Sequence, residues 1–356
     1  MHGLTYHIYK SDCFKSSRVL MQSRWDESSG YIHRPSDETI RRENGDAASE
    51  LALGFVAIWR VMRTRSPRRL VFHAQSSLPY LLFARMAQRL LRRDDVTLVY
   101  DMHDLHEAKV ASTSYQHLRY GIIRHGILGA CERVVCRDRT IPMFTVSAGI
   151  SKTISERYAC DEAAVVANVG TPERYRARPR DMQSTASNPK PLLYFGTKNH
   201  APLSLIPEIQ REGLELHLHG RDMNEDWLAA SMDGSVGTCV RLFGGFDPED
   251  MDFLSAYDIL VLYRPEVRTL NYRFALPNKA FQALWHGLSV IVSANFVEMR
   301  EAFGDIPGAV ATYEGRDGLG STIDKVLESR GEDYEHRIQE ALWKIYTTSK
   351  RNYLAS

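Results

Sequence analysis

The sequence predicts an α/β protein made of two doubly wound parallel-sheet domains facing one another. Three observations carry this. Short apolar runs alternate with amphipathic stretches, the signature of a parallel sheet with crossover helices, and the alternation runs twice. Between the two series, Thr171–Pro191 (TPERYRARPRDMQSTASNPKP) has four prolines and no periodicity, as an interdomain linker would. The 356 residues are too many for one ordinary core and suit two. The expected division is a first domain over 1–170, a linker over 171–190, a second domain over 191–330, and a C-terminal helix over 331–356 that packs back on the first domain.

Leu4–Tyr9 reads as the first strand. Ser16–Glu27 is expected to be a helix, with Val19, Leu20 and Ser23 on one side. Leu70–His73 is a strand, and Pro79–Arg93 a helix in which Leu81, Leu82, Ala84 and Met86 alternate with Arg85 and Arg89. Val96–Tyr100 is nearly all apolar, as a strand buried on both faces should be. Tyr115–Cys131 is helical, and Phe144–Ser147 and Val165–Asn168 are the last strands of the first series. The second series reads LLYFG, a helix from Pro202, LELHLHG, a short helix, CVRLFGG, the helix DPEDMDFLSA, DILVLY, the helix PNKAFQALWHG, SVIVS and AVATY. Two helices follow from Gly315. In such sheets ligands sit at the carboxyl ends of the strands and in the cleft between domains.

Composition narrows the class. The chain is 44% apolar and 25% charged, which excludes a disordered polymer. Its formal net charge of +1 excludes a polycationic nucleic-acid binder. The charge is unevenly spread: residues 1–170 hold 24 basic and 18 acidic side chains, residues 171–356 hold 21 and 26. Five cysteines with no C-x-x-C pair argue against a disulfide framework or a thiolate zinc site. The opening residues lack an apolar signal core, and no apolar run approaches the roughly 20 residues that span a bilayer. The expected location is the cytoplasm. There is no G-x-x-x-x-G-K-[ST] and no G-x-G-x-x-G after a first strand, so neither a P-loop nor a dinucleotide site is indicated.

Two strands end in glycine, Tyr194-Phe195-Gly196 and His219-Gly220-Arg221. A glycine there admits close approach of a ligand to the backbone, although glycines in turns are common for conformational reasons alone. Segment 275–291, ALPNKAFQALWHGLSVI, says more. Pro277 suits a first helical turn, where its missing N–H costs nothing. Asn278, Lys279 and the free amides of that turn are expected to stand exposed in the cleft. A cation at a helix N-terminus is electrostatically misplaced unless an anion joins it.

This segment resembles the nucleotide-sugar-binding helix of bacterial glycosyltransferases of the GT-B architecture, in the broad family-four group (glycosyl transferase group 1). The pattern there is roughly P-x-K-x-x-E-x-x-x-x-G-x-P-V. The resemblance extends to Asp12-x-x-x-x-Ser-Arg18 with Gly30-Tyr31, to the strand end Tyr100-Asp-Met-His-Asp104, to Thr145-Val-Ser-Ala-Gly-Ile150, to Asn168, and to Leu254-Ser-Ala-Tyr-Asp-Ile259. It runs from about Leu4 to about Met299, and order and spacing make it specific. It implies two Rossmann-like domains. The first binds an acceptor and the second a nucleotide-diphosphate sugar. Transfer is retaining, with no cofactor and no essential metal. The implied catalytic residues are His103 and Asp104, with His103 contacting the transferred sugar. The implied donor-binding residues are Gly196, Lys198, Gly220, Arg221, Tyr263, Arg264, Asn278, Lys279 and Gln282, with Arg268 a further cation for the diphosphate. The chain departs from the pattern at the E-x7-E pair, where Phe274 and Gln282 stand; Gln keeps hydrogen-bonding capacity without charge.

Other features have plainer readings. Asp104 and Glu107 are expected to orient His103, with His106 beyond the strand end. His217 and His219 alternate and so share a face; packing explains them better than zinc, since no further ligands accompany them. Asp250-Met-Asp252 is a D-x-D at a helix start, where acids are ordinary dipole partners. The basic stretch Arg60–Arg69 and the helix bearing Arg85, Arg89, Arg92 and Arg93 are a solvated face or a docking face for an anionic membrane. The partners expected are a nucleotide sugar, a glycan or lipid-linked acceptor and the inner face of a membrane, with no nucleic acid. The alternatives are a nucleotide-sugar epimerase on the same architecture and a non-catalytic binding subunit.

Overall fold

A computed structural model describes residues 5–8, 21–23, 55, 58–59, 62–63, 68–73, 77–105, 115–169, 191–220, 223–232, 239–246, 251–267, 269–315 and 318–355. The chain divides into two compact units, one of residues 1–166 with 349–356, the other of residues 167–348. The expected linker over 171–190 lies outside the described residues.

The first unit holds β1 (Thr5–Ile8), β2 (Met21–Ser23), β3 (Arg68–His73), β4 (Val96–Met102), β5 (Met143–Thr145) and β6 (Ala164–Val165), in the order β2-β1-β3-β4-β5-β6. All neighbours are parallel except β1 and β2. The helix expected over 16–27 is corrected here. Met21–Ser23 is a strand, antiparallel to β1 with Thr5 opposite Ser23. Val19 and Leu20 give that stretch too narrow an apolar stripe to hold a helix against a core, and pairing along β1 prevails.

The crossover helices are α1 (Leu78–Leu90), α2 (Tyr115–Arg137) and α3 (Ala148–Tyr158). Pro79 stands in the first turn of α1, where a helix tolerates it. α2 runs six residues beyond the Cys131 expected from the sequence and ends at Arg137. Its extra turns bury Glu132, whose carboxylate accepts hydrogen bonds from the phenols of Tyr100, at 3.1 Å, and Tyr158, at 2.8 Å. The chain ends in this unit: the Tyr353 ring stacks on Phe144, and Arg69 donates to its carbonyl at 2.8 Å.

The second unit is a six-stranded parallel sheet of β7 (Leu192–Phe195), β8 (Leu216–His219), β9 (Val240–Leu242), β10 (Ile259–Leu262), β11 (Ser289–Ser293) and β12 (Val310–Tyr313). Its order is β12-β11-β10-β7-β8-β9. Read from β9, this is the doubly wound 3-2-1-4-5-6 order, with the direction of winding reversing between β7 and β10. β7, β8, β10 and β11 are buried along their whole length, which explains the unbroken apolar runs of β7 and β10 and the apolar centre of β11.

The helices of this unit are α4 (Ile206–Arg211), α5 (Glu225–Ser231), α6 (Leu270–Arg273), α7 (Asn278–Trp285), α8 (Val297–Phe303), α9 (Leu319–Glu328) and α10 (Tyr334–Ala355), whose last residues belong to the first unit. Pro207 falls in the first turn of α4. In place of a full helix from DPEDMDFLSA, the described part, Asp252–Ala256, is a 3₁₀ turn. Asp250 of the D-x-D lies outside the described residues. Among the described residues no helix is long and apolar enough to cross a membrane.

Candidate functional site

The winding reversal opens a crevice at the carboxyl ends of β7 and β10, and local sequence fills it with polar groups. Pro277 caps α7 with backbone in the extended region and no side-chain cap. Its carbonyl takes the amides of Ala280 and Phe281, so those of Asn278 and Lys279 have no intrahelical acceptor. Lys279, on the first turn, folds back toward β7. Its Nζ donates to the Tyr194 phenol at 3.0 Å and lies 4.3 Å from that ring's centre. Tyr194 in turn donates to the Thr197 carbonyl at 2.8 Å.

Gly196 makes the approach possible. At φ +134°, it would place a Cβ 2.6 Å from the lysine Nζ. Lys279 is therefore half-buried, not exposed as the sequence suggested. Burial pulls its pKa down from 10.5 to about 8. Among the described residues no carboxylate pairs with it.

The neighbouring groups are arranged around this cation. Arg264 follows β10 and reaches the Asn199 carbonyl beyond β7, while its Nε pairs with Glu266. Its own backbone is pinned from β11: its amide donates to Ser293 Oγ at 3.0 Å, and its carbonyl accepts from Asn295 Nδ2 at 2.9 Å. Thr269 caps α6 by accepting the Tyr272 amide, which sets Tyr272 against His200. His200 is held below the ordinary histidine value by burial, then by the charges of Lys279 and Arg264. Positive charge thus exceeds negative here, and a neutral imidazole and two phenols surround it.

The two strand-ending glycines act differently. A Cβ on Gly220 would meet the Gly196 carbonyl at 2.4 Å and Met223 Cε at 2.7 Å, so its bareness serves close packing of β7 and β8. Both amides are used, Gly196 by the His219 carbonyl and Gly220 by the Gly244 carbonyl. Lys198 and Asn278 are exposed, and Gln282 is half-buried one turn beyond Lys279. Tyr263, between β10 and Arg264, has its ring buried against Tyr313, at 5.4 Å between centres. Arg221 and Arg268 lie outside the described residues.

Tyr194, His200, Tyr272, Ser293 and Asn295 were not singled out from the sequence. The polar Ser293-Ala-Asn295 closing the apolar run Val290–Val292 was the available signal.

In the first unit His103 stands immediately past β4. Its Nε2 lies 3.4 Å from Asp101 Oδ2, so the partner is the strand's own Asp101, ahead of the expected Asp104. Glu107 and His106 lie outside the described residues. Burial works against protonation of His103, but the hydrogen bond and charge of Asp101, with the exposed Asp104 adding, raise its pKa above 6.5. His217 and His219 do share a face, and both bond the Tyr257 phenol, at 2.9 and 2.8 Å. His219 lies stacked between Phe243 and Phe253, and burial lowers its pKa to about 4, so it is neutral and structural.

No family model matches the chain, and no curated protein matches it. Among solved structures it is similar to S. aureus TarM in complex with Fondaparinux, alpha-GlcNAc-glycerol and UDP. The TM-score is 0.55 at 11% identity, over 85% of this chain and 58% of that one. The chain thus spans a little over half the length of that protein. Two further similar structures are AviGT4, a glycosyltransferase involved in Avilamycin A biosynthesis (TM-score 0.47, 16% identity, 85% and 87% covered), and WaaG, a glycosyltransferase involved in lipopolysaccharide biosynthesis (0.45, 13%, 83% and 93%). The fold is that of the GT-B glycosyltransferases.

Proposed function

We propose that the chain is a glycosyltransferase of the hexosyltransferase type, moving a sugar from a nucleotide-diphosphate sugar to a hydroxyl of a glycan or lipid-linked acceptor. The observation that carries this is Lys279: a half-buried ammonium without a carboxylate partner among the described residues, on the uncapped first turn of α7, at the winding reversal of a 3-2-1-4-5-6 sheet. A dianionic diphosphate is the ligand that answers both the cation and the unused amides.

In this reading Lys279 and the amides of Asn278 and Lys279 hold the diphosphate. Arg264 and the His200–Tyr272 pair supply further donors. Gln282, on the next turn, bonds a ribose hydroxyl. His103, biased toward imidazolium by Asp101, is the first unit's donor to a hydroxyl of the transferred sugar. Charge developing on the departing diphosphate is then met by preorganised donors. The transfer is retaining and needs no metal. The enzyme works in the cytoplasm, at the inner face of a membrane.

A thermal-shift screen against UDP-, GDP-, ADP- and CDP-linked sugars tests the reading, since a ligand of the folded state raises the unfolding temperature. One nucleotide class should stabilise the wild type and fail to stabilise Lys279→Met. The nucleoside diphosphate should then be released on addition of acceptor. No shift with any of the four, or an equal shift in Lys279→Met, would refute it.

A further inference from the structure

β10 and β11 run side by side, with Leu262 opposite Val292 as their last ladder pair. Two residues on, the backbone of Arg264 has left the ladder. Half-buried peptide groups still need partners, and two side chains from the end of β11 supply them. The Arg264 amide donates to Ser293 Oγ at 3.0 Å, and the Ser293 hydroxyl donates to Asn295 Oδ1 at 2.6 Å. Asn295 Nδ2 donates to the Arg264 carbonyl at 2.9 Å and also to the Val267 carbonyl.

These bonds fix the sense of the Asn295 amide, because turned over it would set its oxygen against two carbonyls. They also bracket a turn. The Val267 amide donates back to the Arg264 carbonyl at 3.2 Å, around Pro265 and Glu266, which are both exposed. Proline in the second position presets the turn's φ, and Asn295 ties both ends of the turn to the sheet. The turn carries Arg264, whose guanidinium bonds the Asn199 carbonyl past β7 and pairs through Nε with Glu266. The residue after Asn295 serves the same crevice. Phe296 is buried with its ring edge-on to Tyr272, at 5.5 Å between centres, and Tyr272 bonds His200.

We infer that Asn295 is a positioning residue of the diphosphate site, acting through the turn that carries Arg264. The inference rests on the donor reading proposed above. Arginine is a long, flexible side chain, and a fixed backbone lowers the entropy lost when its fork meets an anion. Asn suits the position because it donates twice and accepts once, as the two carbonyls and the serine hydroxyl require.

The test is calorimetric titration of the full chain with inorganic pyrophosphate, a diphosphate without base or sugar. Wild type, Asn295→Ala, Arg264→Gln and the double variant are compared, with Lys279→Met alongside. None of the Asn295 changes alters the charge that the anion meets. Arg264→Gln should weaken pyrophosphate about thirtyfold, within the range of a charge-assisted bond. Asn295→Ala should weaken it about tenfold, the larger part of what Arg264 contributes. In the Arg264→Gln background, Asn295→Ala should cost less than about twofold, because both changes then act on one group. A merely structural role would lower the unfolding temperature without this coupling. Pro265→Gly loosens the same turn from an exposed position and keeps the test open should Asn295→Ala fail to fold. It should weaken pyrophosphate about threefold, and again only while Arg264 is present.

With binding lost in Lys279→Met, two results would overturn this inference alone: unchanged affinity in Asn295→Ala, or the same fold-loss with and without Arg264. No binding of pyrophosphate by the wild type, or equal binding by Lys279→Met, would overturn the donor reading and this inference with it.

Discussion

Lys279 couples stability, pH and anion binding in a way that can be measured. Replacing it with Met removes a cation that burial holds at a pKa of about 8 against 10.5 in the unfolded chain. Below pH 8 the lysine is protonated in both states, and the folded state carries the cost of its burial. As pH rises through 8 the folded protein releases the proton while the unfolded chain keeps it, so the unfolded state binds more protons and stability rises with pH. The window closes near 10.5. Across it the wild type gains about 3 kcal/mol relative to Lys279→Met, of which about 2.5 kcal/mol appears between pH 7 and pH 10. Urea denaturation of both proteins at each pH reads this difference directly. Shared contributions from other titrating groups cancel. Anion binding should move the opposite way. A diphosphate needs the ammonium, so wild-type affinity for the nucleoside diphosphate falls about tenfold per pH unit above 8. Calorimetric titration at pH 7 and pH 9 should show about a tenfold loss, and Lys279→Met should be weak and flat. A stability difference that does not change with pH, or the same affinity slope in both proteins, would refute the reasoning.

Three further outcomes follow from the same geometry. Gly196→Ala places a methyl group 2.6 Å from Lys279 Nζ at a φ of +134°, so it should cost about 1–3 kcal/mol in urea denaturation and weaken nucleotide binding at least tenfold. Gln282→Ala should lower affinity for the nucleotide itself as well as for the whole donor, with Gln282→Glu tolerated; equal affinities in calorimetry would remove Gln282 from the ribose. His103→Ala should cut turnover by about 10²–10⁴-fold, the usual range for a positioned proton-handling group, while the second unit's nucleotide affinity survives. Because Asp101 raises the folded pKa of His103, its ion pair should stabilise fully below about pH 6.5 and fade as pH rises through the folded value; a stability difference from His103→Ala that grows with pH would contradict this.

The fold was largely legible because parallel strands buried on both faces leave little choice of residue. LLYF, ILVL and SVIVS read as strands and are strands with every residue buried. Where burial is partial, the sequence misleads. Met21–Ser23 has no long apolar run, and its strand pairing with β1 is a nonlocal contact that no window of local sequence contains. The early end assigned to α2 has a similar origin. Its last turns are held by Glu132 against Tyr100 and Tyr158, from two other elements.

The site was legible to the degree that its residues lie close in sequence. Pro277, Asn278 and Lys279 form one helical turn, and an uncapped N-terminus with its own lysine already asks for an anion. What joins that lysine to the rest of the crevice comes from elsewhere: Tyr194 from β7 and Gly196 just past it, Arg264 just past β10, and Ser293 at the end of β11 with Asn295 beyond it. A glycine ending a strand is ambiguous by itself, and the two here show why. Gly220 is bare because a neighbouring backbone oxygen occupies the space of its Cβ, and Gly196 is bare because an ammonium does. Only the second bareness has a chemical consequence. A cation pressed into a space without a carboxylate destabilises the fold at neutral pH, and a bound dianion is what offsets that cost.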